Sequence, residues 1–136
     1  MYDGYSKSFP GVSNLDSFAQ FSRPQFSSCA LYTSQEIRDR GSIFVANIYR
    51  ATTPEEAQAG INHLKHVVHG PKPASHEIAA WRCMTLKHGR TGLGGLDDFE
   101  LRTASIDDGE NWAGAKVLGV MQNQAVIDAV VIVSRW

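Results

Sequence analysis

Residues 42–71 read SIFVANIYRATTPEEAQAGINHLKHVVHGP, and this stretch decides the fold class. Its first half, Ser42 to Tyr49, is rich in β-branched and aromatic residues and predicts a strand, with Gly41 as the turn residue in front. Thr53-Pro54-Glu55-Glu56 then predicts a helix start: Thr53 caps, Pro54 suits the first helical position and Glu56 closes a capping box. Ala57, Ile61, Leu64 and Val68 step by four, three and four, giving one apolar helical face that stops at Gly70-Pro71. A strand followed at once by an amphipathic helix is the opening of a mixed fold.

Downstream the alternation continues. Glu77 to Leu86 predicts a buried strand, and His88 to Leu96, with four glycines, a flexible loop. Phe99 to Ile106 predicts a short strand and Asp107-Asp108-Gly109-Glu110 a turn. Ala113, Val117, Val120 and Met121 form a second helical stripe, and Val126 to Ser134 a strongly apolar strand. The order β-α-β-(β)-α-β predicts an α+β domain built as a two-layer sandwich, its sheet covered by two helices.

Upstream the pattern dissolves. Residues 1–36 carry serine at 6, 8, 13, 17, 22, 27, 28 and 34, with Pro10, Gly11 and Pro24, and read as a disordered tail. Phe9, Phe18, Phe21 and Phe26 in that tail point to occasional surface contacts or to a segment that docks on a partner.

Composition narrows the function. Thirteen Lys and Arg against fourteen Asp and Glu leave a net charge of −1, which excludes a nucleic-acid binder working by bulk charge. The longest apolar run, Ala129 to Val133, is far short of the about 20 residues that span a bilayer, so no membrane contact is expected. Residues 1–10 lack a signal-peptide core, and two distant cysteines, Cys29 and Cys83, form no disulfide framework. A cytoplasmic protein is expected.

Several clusters are candidates for chemistry. His63, His66, His69 and His76 resemble a ligand set, but the helix end accounts for the first three without metal. The glycine run 89–95 is neither a Walker A motif nor a dinucleotide fingerprint, so no cofactor is implied. The acidic turn Asp107, Asp108, Gly109, Glu110 could cap the following helix or hold a divalent cation, and the spacing favours the cap. Ala113, Gly114 and Ala115 would open that helix N-terminus to an anion or to a partner backbone. Neither Ser134 nor Cys83 sits in a nucleophile elbow, so no enzyme is expected.

Four motifs occur in order: Asp39-Arg40-Gly41-Ser42-x-Phe44, Ser75-His76-x-Ile78-x-Ala80-Trp81-Arg82, Asp107-Asp108-Gly109-Glu110-x-x-Ala113-Gly114, and Val131-Ile132-Val133-Ser134-Arg135-Trp136. Together they resemble the ancient, YigZ-type domain of the Impact family, from about Asp39 to the last residue. The resemblance implies a fold like domain 2 of ribosomal protein S5, a sheet with two helices on one face. It implies a cytosolic regulator of translation that restrains the amino-acid-starvation kinase, hence a protein partner in the translation and stress-control machinery. It also places candidate binding residues at His76, Arg82, Asp107, Asp108, Gly109, Glu110, Ala113, Gly114, Arg135 and Trp136.

The departures are specific. Residues 1–36 are too short and serine-rich for the RWD domain of eukaryotic members. Asn111 and Trp112 stand where bacterial members have Pro and Thr. The resemblance also implies a continuation beyond Trp136, so residues 37–136 are expected to lack the usual C-terminal part and to self-associate through the last strand. The alternative is a nucleic-acid-binding module in which Arg82, Lys87, Arg90, Lys116 and Arg135 share one face.

Overall fold

A computed structural model describes residues 30–136. Six strands form one antiparallel sheet: β1 (Tyr32–Thr33), β2 (Ile37–Asp39), β3 (Ser42–Arg50), β4 (His76–Leu86), β5 (Phe99–Ile106) and β6 (Ala129–Arg135). The order across the sheet is β1-β3-β6-β4-β5, with β2 pairing the same edge of β3 as β1. Helix α1 spans Pro54–His63 and continues into a π-helical turn, Leu64–Val68; helix α2 spans Ala113–Asn123.

The N-terminus of α1 forms much as its sequence predicts. The Thr53 hydroxyl accepts the Glu56 N–H at 3.1 Å. The Glu56 carboxylate reaches back one residue further than a simple capping box, to the N–H and hydroxyl of Thr52 at 2.8 and 2.9 Å. The far end differs: the α-helix closes at His63, and His69 N–H bonds Leu64 C=O at 2.8 Å to finish a wider turn. Gly70 is needed there, because a Cβ would lie 2.6 Å from the His66 carbonyl oxygen.

The class is the expected one, an antiparallel sheet covered by two helices, but the layering is corrected. Helix α1 packs its Ala57 and Ile61 onto Tyr49, Ala79, Cys83, Val130 and Ile132. Helix α2 packs Val117, Leu118 and Met121 onto Ile48, Ala80, Ala129 and Val131. Adjacent residues of a strand point to opposite faces, so Ala79 and Ala80 assign the helices to opposite sides. The sheet is the middle of three layers, and the single helical face implied by resemblance is not found. Burial on both faces is why β4 lacks polar alternation.

Two boundaries also move. Residues 31–34, expected in the tail, are sewn to the edge of β3 by Leu31 N–H to Ile48 C=O at 2.7 Å and Ser34 N–H to Ala46 C=O at 2.8 Å. A two-residue turn, Arg40-Gly41, with φ of 52° and 84°, joins β2 to β3. The aromatic segment of the tail lies outside the described residues. The last strand starts at Ala129, not Val126, because Ala125 and Asp128 take left-handed φ of 55° and 56° in the turn after α2.

Strand β6 lies inside the sheet, paired with β3 on one side and β4 on the other. Both its edges are therefore occupied, which removes the expected route to self-association through an open edge of the last strand.

Candidate functional site

The turn 107–112 is built around one carboxylate. Asp107 accepts the N–H of Gly114 at 2.8 Å and of Trp112 at 3.2 Å, closing the N-terminus of α2. The capping reading holds, and both Asp107 oxygens are engaged by backbone donors. Gly114 lies against backbone, as its small size suggests, but the backbone is the chain's own: a Cβ there would sit 2.8 Å from Ile106 N. Asp108, at φ 48°, accepts the Glu77 N–H at 2.7 Å and so ties the turn to the start of β4. Gly109, at φ 92°, faces the His76 ring, which a Cβ would approach to 3.4 Å. Ala113 opens the helix, its N–H bonded to Glu110 C=O at 3.0 Å.

This arrangement forces Trp112 into the left-handed region, φ 70°, with its side chain outward and the residue 73% exposed. A bulky residue held there costs of order 1–3 kcal/mol and persists only when its surroundings fix it. Asp107 supplies that fixing.

Register brings residues of the first, second and fourth motifs together beside the turn. His76 and Arg135 are opposite one another in β4 and β6, and Phe44 is opposite Arg135 in β3. The His76 Nδ1–H donates to the Asp108 carbonyl at 2.8 Å, leaving Nε2 3.8 Å from Glu110. Arg135 donates to the Glu110 carboxylate and, through Nε, to Ser42 Oγ at 3.0 Å, and lies over the Phe44 ring at 5.6 Å. On the opposite face Ser134 donates to Glu77, whose other oxygen takes the His69 Nδ1–H at 2.7 Å. His69 meets the Trp136 ring edge-on at 4.8 Å, and Trp136 Nε1–H donates to Lys72 C=O at 3.1 Å. Here the carboxylate stands between serine and histidine. A nucleophile relay needs the histidine in the middle, so this buried chain braces the sheet rather than activating Ser134.

Comparison with known proteins follows the same span. The Impact N-terminal domain family model matches residues 40–136. The chain belongs to the Impact family. It is similar to Protein IMPACT homolog of Saccharomyces cerevisiae, 33% identical over 103 residues, which is 76% of this chain and 36% of that protein. It is also similar to the solved structure of the two-domain translational regulator Yih1, with a TM-score of 0.55 and 33% identity over 76% of this chain and 36% of that one. The chain thus corresponds to little more than a third of each relative's length.

Within this Impact domain, the remaining candidates have structural duties. Arg82 lies on the α2 face and clamps the end of that helix, donating to Val126 C=O at 2.8 Å and Met121 C=O at 3.4 Å. Arg90 is paired with Asp98 at 2.8 Å and Arg135 with Glu110. Three of the five basic residues named for a shared patch, Arg82, Arg90 and Arg135, are therefore committed to partners within the chain. The histidines disperse too: His63 meets the Tyr49 hydroxyl at 3.1 Å, His69 Glu77 and His76 the acidic turn. Among the described residues no group of three or more His, Cys, Asp or Glu is placed to hold a metal ion, and no helix is long and apolar enough to cross a membrane.

Three features escape sequence reading. Asp98, buried, organises the glycine loop by accepting Gly92 N–H at 3.0 Å, Gly94 N–H at 2.8 Å and Arg90, so that loop is a tied structure. The Gly94 amide, then Arg90, hold its carboxyl below the usual range. Glu77 is buried mid-network, with partners 57 and 8 residues away that no local pattern signals. Cys83 is buried against Ala51 C=O, and burial first, then Asp128, pushes its thiol up to about 11.

Proposed function

We propose that this domain is a non-catalytic, cytoplasmic protein-binding module that regulates translation in the amino-acid-starvation response. Membership of the Impact family supports the translational setting, since the Yih1 relative is a translational regulator. The observation that carries the binding role is Trp112, an exposed tryptophan presented in a costly backbone conformation by the capped turn. Tryptophan is enriched among residues that dominate interface energies. The same turn carries Glu110, which binds Arg135 and lies 3.8 Å from His76 Nε2, so polar groups accompany the anchor as interface rims do. The partner is a protein of the translation or stress-control machinery, and no cofactor takes part.

The test is expression of the chain and of its Trp112→Ala variant in amino-acid-starved cells. The readout is phosphorylation of the initiation factor. The wild-type chain should lower phosphorylation at least about twofold and the variant should not, with both melting within about 2 °C of each other, as exposed substitutions usually do. Equal phosphorylation with and without the wild-type chain refutes the reading.

A further inference from the structure

We propose that two copies of this chain associate through β5, antiparallel about a two-fold axis at Leu101. The inference is independent of the translational reading and rests on the two edges of the sheet. One edge, along β3, is covered by β1 and β2. The other is β5, Phe99–Ile106, which pairs only with β4 among the described residues. Glu100, Leu101, Arg102 and Thr103 are all exposed there. An eight-residue strand with a free row of N–H and C=O groups is a template for another strand.

The sequence of that edge selects its occupant. In a pair related by a two-fold axis the same strand must complement itself. With Leu101 on the axis, Glu100 of one copy stands opposite Arg102 of the other, twice, and Leu101 opposite Leu101. Opposed residues in antiparallel strands share a face, so both ion pairs lie on the α1 side. The two leucines, each 43% exposed, meet on the α2 side. Shifting the axis to Arg102 sets arginine against arginine. Shifting it to Thr103 sets Glu100 against Ile106. The pairing about Leu101 alone joins opposite charges and buries apolar surface together. Five residue pairs, Phe99 to Thr103, make a small contact, of the size that gives weak, reversible association.

The test is sedimentation equilibrium of the full chain at rising concentration. The mass should climb from 14.9 kDa towards twice that value. Arg102→Glu and Glu100→Arg each place like charges opposite, and should weaken association about tenfold. The double variant E100R/R102E restores both pairs and should restore association, as should mixing the two single variants. In a Cys29→Ser background, Leu101→Cys should oxidise to a disulfide dimer, because opposed residues lie about 4.5–5.5 Å apart at Cα. Ser105→Cys, away from the axis, should not. A monomer at all concentrations up to about 1 mM overturns the proposal. So does a dimer indifferent to the charge changes, or one that cross-links as readily through position 105.

Discussion

Replacing Asp107 with alanine should destabilise the domain by about 2 kcal/mol. The carboxylate accepts two backbone N–H groups, from Gly114 at 2.8 Å and Trp112 at 3.2 Å. Hydrogen bonds to a charged group contribute about 1.5–3 kcal/mol each, and the longer Trp112 contact belongs at the low end. Loss of an N-cap alone costs about 0.5–2 kcal/mol. Against these stands relief of the left-handed Trp112 backbone, roughly 1–3 kcal/mol, once the turn is free to relax. The balance is about 2 kcal/mol, or roughly 8 °C in melting temperature for a domain of this size. The Asp107→Asn variant keeps an acceptor but loses the charge at the helix N-terminus, so it should cost about half as much. Urea unfolding followed by far-ultraviolet circular dichroism gives both values, and an unchanged slope shows that the same surface is exposed. A loss below about 0.5 kcal/mol for the alanine variant, the level of ordinary surface substitutions, would refute the view that this carboxylate holds the turn.

Three further outcomes are expected. Gly114→Ala drives a Cβ to 2.8 Å from Ile106 N and 2.9 Å from Asp107 Oδ1 and should cost about 3 kcal/mol in the same urea experiment, the upper end for overpacking. Asp98 has its carboxyl held down in the folded state, so its contribution is present above the unfolded value of 3.8 and lost as pH falls through the lower folded value; Asp98→Asn should flatten that acid limb of the urea midpoint against pH. Cys83 stays protonated to about pH 11 when folded but ionises near 9.0 when unfolded, so stability should fall across that window and a Cys83→Ala variant should lack the fall; a thiol reagent at pH 8 should label this position only in urea.

Much of the fold is written locally. The stretch 42–71 carries its strand in β-branched residues and its helix in a cap and a four-three-four stripe, and both appear within a residue or two of their expected starts. Side of packing is not written locally. Ala79 and Ala80 are both fully buried, and two small apolar residues in a row say that a strand is covered twice without saying by which helix. The π-helical turn is equally silent: Leu64 and Val68 continue the helical stripe in sequence, but the His69 N–H bond to Leu64 C=O closes a wider turn in which Leu64 is buried and Val68 is exposed. Short edge strands fail for another reason. Tyr32–Thr33 and Ile37–Asp39 are two and three residues long, too brief for any period, and are held by hydrogen bonds to β3.

The candidate site divides along the same line. Asp107, Asp108, Gly109, Glu110, Ala113 and Gly114 are adjacent in sequence and readily expected to act together, as are Arg135 and Trp136. What no local pattern carries is that pairing of β4 with β6 sets His76 beside Arg135 and so draws the second, third and fourth motifs to one end of the sheet. Once there, each group has a structural partner. Asp107 serves the helix, Asp108 the first residues of β4, Glu110 the Arg135 guanidinium, and Arg82 the far end of α2. A motif whose polar atoms are so committed has little left to bind a ligand with. Its exposed apolar product is the Trp112 indole. The acidic run is therefore better understood as a mount than as a pocket: Asp107 and Asp108 accept backbone N–H groups and Glu110 ties Arg135, which together fix the backbone that presents the Trp112 indole at the surface.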